Sequence, residues 1–378
     1  MTESEIVQCV ADLGTLRGQV DIISFANADK EIFRGELIAI ADRLLAVNAP
    51  ANYAPFMEED FASYIIVCRD WLKQLIDSNA YRLNEEMSYC VMKTIEQWDL
   101  QQAQRIVIFT LGDFSVQKIK RNVNTQRIDY LLTMSQNTGV NLTKEPVFIK
   151  VPELFKNHIL TNIPLFHEIG HYIDRDNSIS ERVLSEILPF LQSRSNLRLK
   201  REFFPDYEGV DLNTVPDINI VLLSHIEEYI ADVFGAQYSR EYILCYASFL
   251  EAKNPNRSSK DHPSLNCRKR FVDSFLNFSQ NGNISNRLLD VILKYIPSLR
   301  VHSSPFGEAD LLDPDLKFAD NDQMLSSLSM PWRYILREAI RNGIKREGVA
   351  SYHKILALQI FNSFDSNIRK AVNEFMNR

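Results

Sequence analysis

The sequence predicts an α+β fold that is mostly helical, with a small β-sheet near the middle of the chain and helical regions on either side. Apolar residues recur at helical spacing through the first hundred residues and again from Leu160 towards the end of the chain. Between these parts lie two short runs rich in β-branched residues and bounded by Gly, Pro or Asn, as strands commonly are. A chain of 378 residues is long enough for one large domain or two of medium size.

The N-terminal region, residues 1–100, is predicted to contain amphipathic helices. Its helical segments are DKEIFRGELIAIADRLLAV, EEDFASYIIVCRDWLKQLI and NEEMSYCVMKTIEQW. The two predicted strands that follow are RIVIFTLG, from Arg105, and EPVFIKV, from Glu145. The segment DYLLTM between them fits a third strand or a helical turn. The second strand is interpreted either as a plain core strand or as a sheet edge that an extended peptide can join.

The central region, residues 101–300, returns to helical spacing from Leu160. A polar, Pro-containing stretch from Arg194 to Asp217 predicts a long loop or lid. The strongly apolar segment DINIVLLSHIEEYIADVFGAQYS predicts a helix that carries an unusual cluster of polar groups. The loop EAKNPNRSSKDHP then precedes another helix, SLNCRKRFVDSFLNF. After an acidic loop, the C-terminal region, residues 301–378, is predicted to be helical.

Composition and charge exclude several classes of function. A hydrophobic share of 45% and a charged share of 24% are those of an ordinary soluble globular protein. The net charge of −7 gives no attraction to phosphate backbones or anionic membranes, so nucleic acid is not the expected partner. No run approaches the roughly 18–20 apolar residues of a membrane span, and the acidic N-terminus does not resemble a targeting sequence, so a cytoplasmic location is expected. The five cysteines never show C-x-x-C spacing, which predicts reduced thiols and no cysteine-based zinc site.

The segment LFHEIGHYIDRD, from Leu165, contains an H-E-x-x-H motif. Residues four apart share one face of a helix, so His167 and His171 can direct both imidazoles at one metal ion. A catalytic zinc commonly has three protein ligands and a water whose pKa it lowers, and Glu168 is placed to act as general base on that water. The alternative interpretation is an ordinary core helix, in which the two histidines lie at the polar edge of an apolar stripe.

The third zinc ligand has to come from elsewhere in the chain. Glu227 and Glu228 lie in the apolar segment, where a buried carboxylate needs a metal, a partner or a proton. Glu228 and Asp232 are four apart, so one carboxylate can bind zinc while the other accepts a hydrogen bond from a ligand histidine. Glu227 points about 100° away and is assigned to the surface or to an alternative partner. Ala231 and Gly235 would let this helix approach the first one closely.

Three motifs in this order resemble the gluzincin metallopeptidases. H-E-x-x-H followed by E-x-x-A-D is similar to that family's pattern, in which two histidines of one helix and a glutamate of a second bind zinc. The segment DHPSLNCRKRF adds H-P-x-x-x-x-R, with His262 and Arg268, which resembles the branch of the CAAX-processing prenyl proteases and the heat-shock membrane proteases. The resemblance spans about His158 to Phe271. The chain departs from that branch by lacking its transmembrane spans, so its substrate class is not implied.

The resemblance implies a zincin-like catalytic core, within which the small β-sheet is expected. It also implies that His262 and Arg268 stand near the zinc and assist the polarised intermediate. Which of the two donates to the developing oxyanion is left open by the sequence.

Other polar residues are weaker candidates. His225 lies three residues before Glu228, but a catalytic zinc needs an open position, so His225 is assigned to the helix face or to the surroundings of the ligands. Glu168 and His171 also fit half of a carboxylate-bridged di-iron site, which would need a second Glu-x-x-His that the sequence lacks. No G-x-S-x-G turn supports a serine nucleophile. Structural or surface roles are assigned to the remaining histidines, His158, His302 and His353.

The sequence therefore predicts a zinc-dependent endopeptidase with one zinc ion per chain and a peptide or protein substrate. His167, His171 and Glu228 bind zinc, Glu168 activates water, and Asp232 orients a ligand histidine. The alternative is a non-catalytic or regulatory protein that retains the zinc site for folding or partner binding. Glu168 favours the enzyme, because a structural zinc site needs no base beside the metal.

Overall fold

The computed structural model of the chain is divided by its internal contacts into two compact units. The N-terminal unit comprises Met1–Ser88 and Asp99–Asn157, and the C-terminal unit comprises Tyr89–Trp98 and His158–Arg378. The division into three regions that the sequence predicts stays a prediction. Residues 301–378 belong to the same compact unit as the H-E-x-x-H motif. The residues that the structure describes are 3–25, 28–46, 58–78, 85–98, 105–112, 133–152, 157–193, 197–250, 254–282, 286–345 and 348–378.

The N-terminal unit contains three helices that pack against one another: α1 (Glu3–Asp21), α2 (Ala28–Leu45) and α3 (Glu58–Asp77). They are followed in sequence by α4 (Glu85–Trp98), whose residues from Tyr89 onwards belong to the C-terminal unit. The three segments predicted to be helical are confirmed as α2, α3 and α4. On α2, apolar side chains at helical spacing are at most 1% exposed and form one core-facing stripe: Phe33, Leu37, Ile40 and Leu44.

Two strands follow in the same unit. β1 (Arg105–Gly112) and β2 (Glu145–Pro152) form a parallel pair, with Arg105 opposite Glu145 and Gly112 opposite Pro152. Both runs predicted to be strands are therefore strands. Residues 133–138 form a short helix, α5, so the last two residues of DYLLTM are helical, and its first four lie outside the described residues. The possible role of β2 as a peptide-binding edge stays a prediction.

The predicted α+β class is wrong, and the protein belongs to the helical class. The sheet has only two described strands, too few to form a layer of the core, and both belong to the N-terminal unit. Within the described residues of the C-terminal unit, every regular element is a helix. The sequence predicted a small β-sheet within this core. The described part of the unit consists instead of helices that bury their apolar faces against one another.

The C-terminal unit is organised around one long helix, α9 (Ile218–Ser239), in which every residue from Glu228 to Ser239 is buried. It packs most extensively against α6 (Pro164–Asp176), and also against α7 (Ile179–Gln192) and α11 (Leu265–Asn281). The other helices of the unit are α8 (Leu197–Phe203), α10 (Cys245–Leu250), α12 (Arg287–Tyr295), α13 (Asn321–Ser327), α14 (Pro331–Arg341), α15 (Gly348–Leu356) and α16 (Gln359–Met376).

The stretch from Arg194 to Asp217 is not the continuous loop that its polar composition predicted. Its described part contains α8 and two single 3-10 turns, at Pro205–Tyr207 and Leu212–Thr214. The stretch is held to the core by apolar side chains, since Phe203 and Phe204 are at most 2% exposed.

Local sequence explains where the two helices beside α9 begin. Pro164 occupies the first turn of α6, where its missing N–H leaves no hydrogen bond unmade. Ser264 caps α11, because its Oγ accepts a hydrogen bond from the Cys267 amide at 3.3 Å. The loop at 254–263 thus leads directly into α11 and places the H-P-x-x-x-x-R motif partly on the loop and partly on the helix.

None of the described helices combines the length and the apolar character that a membrane crossing requires. All five cysteines are free, as their spacing predicted. Burial raises the pKa of the Cys68 thiol to about 12, so this thiol stays protonated at neutral pH.

Candidate metal site

The site forms where α6 and α9 cross at very short distance. A Cβ on Gly170 would lie 2.8 Å from both the Ala231 Cα and the Phe234 Cβ. On the other helix, a Cβ on Gly235 would lie 3.1 Å from the His167 amide nitrogen. Only glycine fits at such contacts, so these two residues bring the backbones together and let short side chains from both helices meet.

Gly170→Ala is expected to destabilise the protein by about 1–3 kcal/mol, because the added methyl group meets backbone and Cβ atoms that cannot swing aside. Denaturant unfolding measures the change. Gly35→Ala is the matched control, since Gly35 is an exposed position in α2 with open space around it, where alanine is expected to stabilise by about 0.5–1 kcal/mol. Wild-type stability of Gly170→Ala would mean that α6 and α9 do not touch at this point.

Three side chains that could hold a metal ion, His167, His171 and Glu228, converge at the crossing, and we call them the ligand group. His167 and His171 lie one turn apart on α6, and their rings meet edge to face with centroids 4.5 Å apart. His167 Nε2 lies 3.4 Å from Glu228 Oε2, and His171 Nε2 lies 3.1 Å from Glu228 Oε1. One ligand atom of each residue lies within 4.8 Å of the others. The structure therefore brings together the three residues that the sequence predicts as zinc ligands.

The geometry and chemistry of this cluster fit zinc. A tetrahedral zinc ion with bonds of about 2.0–2.1 Å holds its ligand atoms roughly 3.3 Å apart. Each histidine Nε2 lies 3.1–3.4 Å from one of the two Glu228 oxygens, and one ligand atom of each residue lies within 4.8 Å of the others. Glu228 Oε2 is buried and accepts no hydrogen bond from the described residues, which leaves it available to a cation. One feature departs from the usual pattern: His171 Nδ1 is buried without a hydrogen-bond partner in the described part of the chain, whereas ligand histidines commonly donate from this atom.

Asp232 lies directly behind the cluster and is fully buried. Its Oδ1 lies 3.0 Å from His167 Nδ1, an ion-pair contact when the ring is protonated. Arg268, from α11, donates to both Asp232 oxygens, from Nε at 2.8 Å and from Nη2 at 2.7 Å. Arg268 Nη2 also lies 3.4 Å from Glu228 Oε2. Sequence reasoning missed this pairing, although a buried aspartate on an apolar helix signals that a cation is needed.

The charges of the cluster shift one another's pKa values. Burial alone would lower the pKa of His167, but Glu228 and Asp232 outweigh burial and raise it to about 9. Burial disfavours the ionised carboxylate of Glu228, yet Arg268 and His167 hold its pKa well below its usual range. The pKa of Asp232 is lowered in the same way, chiefly by Arg268 against the effect of burial. Both carboxylates are therefore ionised at neutral pH.

Two other glutamates, Glu168 and Glu227, adjoin these residues in sequence but are not part of the ligand group. Glu168, the residue after His167, is half-buried on α6 and is not one of the three ligands. Glu227 lies on α9 beside Glu228, but its Oε2 lies 3.9 Å from Arg175 Nη2 and it takes no part in the ligand group. The face shared by Glu228 and Asp232 is thus the one that meets α6.

His262 reaches the same site from the loop before α11. Its Nδ1 lies 3.2 Å from Glu228 Oε1, while 53% of its side chain stays exposed. Contact with Glu228 raises the pKa of His262. Of the two residues that the H-P-x-x-x-x-R motif contributes, His262 faces the ligand group with an exposed ring, and Arg268 lies behind it on Asp232.

The remaining histidines are placed as follows. His225 is buried on α9 and approaches the loop that carries His262 through the Ser259 carbonyl. His158 lies 3.3 Å from Asp365, and His302 stacks on Tyr238, both away from the ligand group. His353 lies in α15 and is exposed.

Comparison of the chain with protein-family models, with curated proteins and with solved structures finds no match.

Proposed function

We propose that the protein is a zinc-dependent peptidase. The observation that carries the proposal is the meeting of His167, His171 and Glu228 from two helices, with Glu168 following His167 in the sequence and not part of the ligand group. A purely structural zinc site has four protein ligands and no need of an adjacent base, whereas three protein ligands leave a position for substrate chemistry.

In this proposal the residues of the site have separate tasks. Zinc, when bound, supplies Lewis acidity that polarises the peptide carbonyl and makes a water molecule more acidic. Glu168 accepts the proton of the attacking water and returns it to the leaving amine. Asp232 orients the His167 ring through Nδ1, and Arg268 balances the charge of Asp232.

His262 is the residue we assign to the developing oxyanion. It reaches the ligand group with an exposed ring, so a substrate carbonyl can approach it. Arg268 has two of its donors on Asp232 and a side chain that is only 9% exposed, which supports a positioning role in place of contact with substrate. A protonated His262 stabilises negative charge on the carbonyl oxygen by donating a hydrogen bond to it.

The proposal predicts about one zinc ion per chain in the purified protein, as measured by elemental analysis. His167→Ala and His171→Ala are each expected to lose that zinc, because removing one of three ligands removes most of the affinity. His353→Ala, at an exposed histidine of α15, is the control that should keep it. Full occupancy in both ligand variants would overturn the site.

The same measurement separates the neighbouring glutamates. Glu228→Ala is expected to lose zinc, whereas Glu227→Ala is expected to keep it, since Glu227 faces Arg175 and only Glu228 meets the two histidines. Zinc retained in Glu228→Ala and lost in Glu227→Ala would move the ligand by one residue and contradict the observed helix face.

Zinc affinity is expected to rise about tenfold per pH unit from neutral pH to about pH 9. The pKa of His167 is raised to about 9, so this ligand is protonated below that pH and must give up one proton to a metal ion. Glu228 contributes no proton, because its pKa lies well below its usual range. Titration calorimetry in two buffers of different ionisation enthalpy counts the released protons. An affinity that stays constant across this range would mean that His167 is unprotonated or is not a ligand.

A further inference from the structure

His225 lies on α9 one helical turn before Glu228 and is only 2% exposed. Its ring is parallel to that of Phe204, with an angle of 7° and centroids 6.3 Å apart. Its Nε2 lies 2.9 Å from the carbonyl oxygen of Ser259, which belongs to the loop before α11. A carbonyl only accepts hydrogen bonds, so Nε2 is the protonated nitrogen and donates to Ser259.

The surroundings of the other ring nitrogen, Nδ1, indicate the protonation state of His225. Nδ1 of His225 is buried and has no hydrogen-bond partner in the described part of the chain. A proton on Nδ1 would bury an unsatisfied donor and a charge, both of which are costly. Burial also lowers the pKa of His225, in agreement with a neutral ring. His225 is therefore a fixed single donor that points at the loop.

Ser259 connects this anchor to His262 through the backbone. The Ser259 amide donates to the His262 carbonyl at 2.8 Å, and the His262 amide donates to Ser259 Oγ at 2.9 Å. These two hydrogen bonds close a turn of four residues, 259–262. Whatever holds Ser259 in place therefore also holds the backbone of His262, whose Nδ1 lies 3.2 Å from Glu228 Oε1.

We propose that His225 is a positioning residue that fixes the turn 259–262 on α9 and thereby places the His262 ring against Glu228. The catalytic consequence rests on the proposed peptidase function, whereas the anchoring itself does not. An exposed loop residue is mobile unless its backbone is tied down, and a displacement of about 1 Å at a reacting centre can cost as much as 10²-fold in rate.

The test compares substitutions of His225 that differ in reach and in hydrogen bonding. The amide of His225→Gln occupies the place of Nε2 and can still donate to Ser259. The amide of His225→Asn is too short to do so, and His225→Leu has no donor. His302→Leu is the control, because the His302 ring, 11% exposed, stacks on Tyr238 at the far end of the same helix. If His225→Leu does not fold, the Gln and Asn pair decides the question.

Hydrogen exchange of the full chain is read by mass spectrometry on peptides that cover residues 254–264. We expect faster exchange at the amides of Ser259 and His262 in His225→Leu and His225→Asn, and wild-type exchange in His225→Gln and His302→Leu. With zinc content unchanged, kcat is expected to fall about 10- to 100-fold in the Leu and Asn variants with little change in KM, and to return in His225→Gln.

Unchanged loop exchange in His225→Asn overturns the anchor. Faster exchange with unaltered kcat overturns the positioning of His262. If the wild-type protein hydrolyses no peptide, the proposed function fails, and the exchange comparison alone still supports or overturns the anchor.

Discussion

Glu168→Gln is expected to lower peptide hydrolysis by about 10²- to 10⁴-fold, the range typical of a lost general base. Glutamine preserves the size of the side chain and its hydrogen bonding but cannot take a proton from water. Zinc content and thermal stability should stay at wild-type values, because Glu168 is not one of the three ligands. The assay is cleavage of a peptide library, read by mass spectrometry for products that disappear with a chelator and return with zinc.

Glu227→Gln is the matched control for this variant. It makes the same change on α9, beside a ligand but outside the ligand group, and should keep full activity. Hydrolysis by Glu168→Gln at the wild-type rate would reject the proposed mechanism. A wild-type protein that binds zinc stoichiometrically but cleaves nothing in a broad library would favour the non-catalytic zinc protein.

Arg268→Met is expected to destabilise the protein by about 3–5 kcal/mol at neutral pH, since it removes the cation between two buried carboxylates and leaves their charge uncompensated. Arg268 holds the pKa values of Glu228 and Asp232 down against the effect of burial. The stability that comes from these depressed pKa values is present above the pKa values of the unfolded chain and is lost as the pH falls. Without Arg268, burial would raise both pKa values instead, so the carboxylates of the variant would take up protons as the pH falls towards 4 and the cost of the substitution should shrink.

Denaturant unfolding at several pH values measures this effect. Arg270→Met is the control on the same helix, because Arg270 is exposed, and its substitution should change stability by no more than about 0.5 kcal/mol. Equal stability of the two variants at neutral pH would show that Asp232 and Glu228 do not depend on Arg268.

Helical periodicity was sufficient to predict the ligand group. His167 and His171 share a face because they are four residues apart, and the same argument selects Glu228 over Glu227 through Asp232. The β-branched runs from Arg105 and Glu145 were likewise recognisable as strands. In each case the information is local, since spacing along the chain determines which side chains point the same way.

The fold class could not be predicted in this way. Two strands can be recognised from sequence, but the number of strands in the sheet and its place relative to the histidine helix depend on tertiary contacts. The pairing of Arg268 with Asp232 was missed for the same reason, because it joins residues 36 positions apart on different helices. The buried aromatic residues at the end of α8 and directly after it show a further limit: Phe203 and Phe204 form part of the core although they lie in a polar stretch.

At the crossing of α6 and α9, the charges of four neighbouring side chains balance. Glu228 and Asp232 carry two negative charges, while Arg268 and protonated His167 carry two positive ones. Because the pKa of His167 is raised to about 9 on folding, its contribution to stability is complete below its ordinary pKa of about 6.5 and is lost only as the pH rises through about 9. We therefore expect the chain to fold without a metal ion, unlike zinc fingers, which are unfolded until zinc binds. Under the proposed function, zinc uptake would then exchange one proton for one ion in a chain that is already folded, and metal supply would control activity without controlling folding.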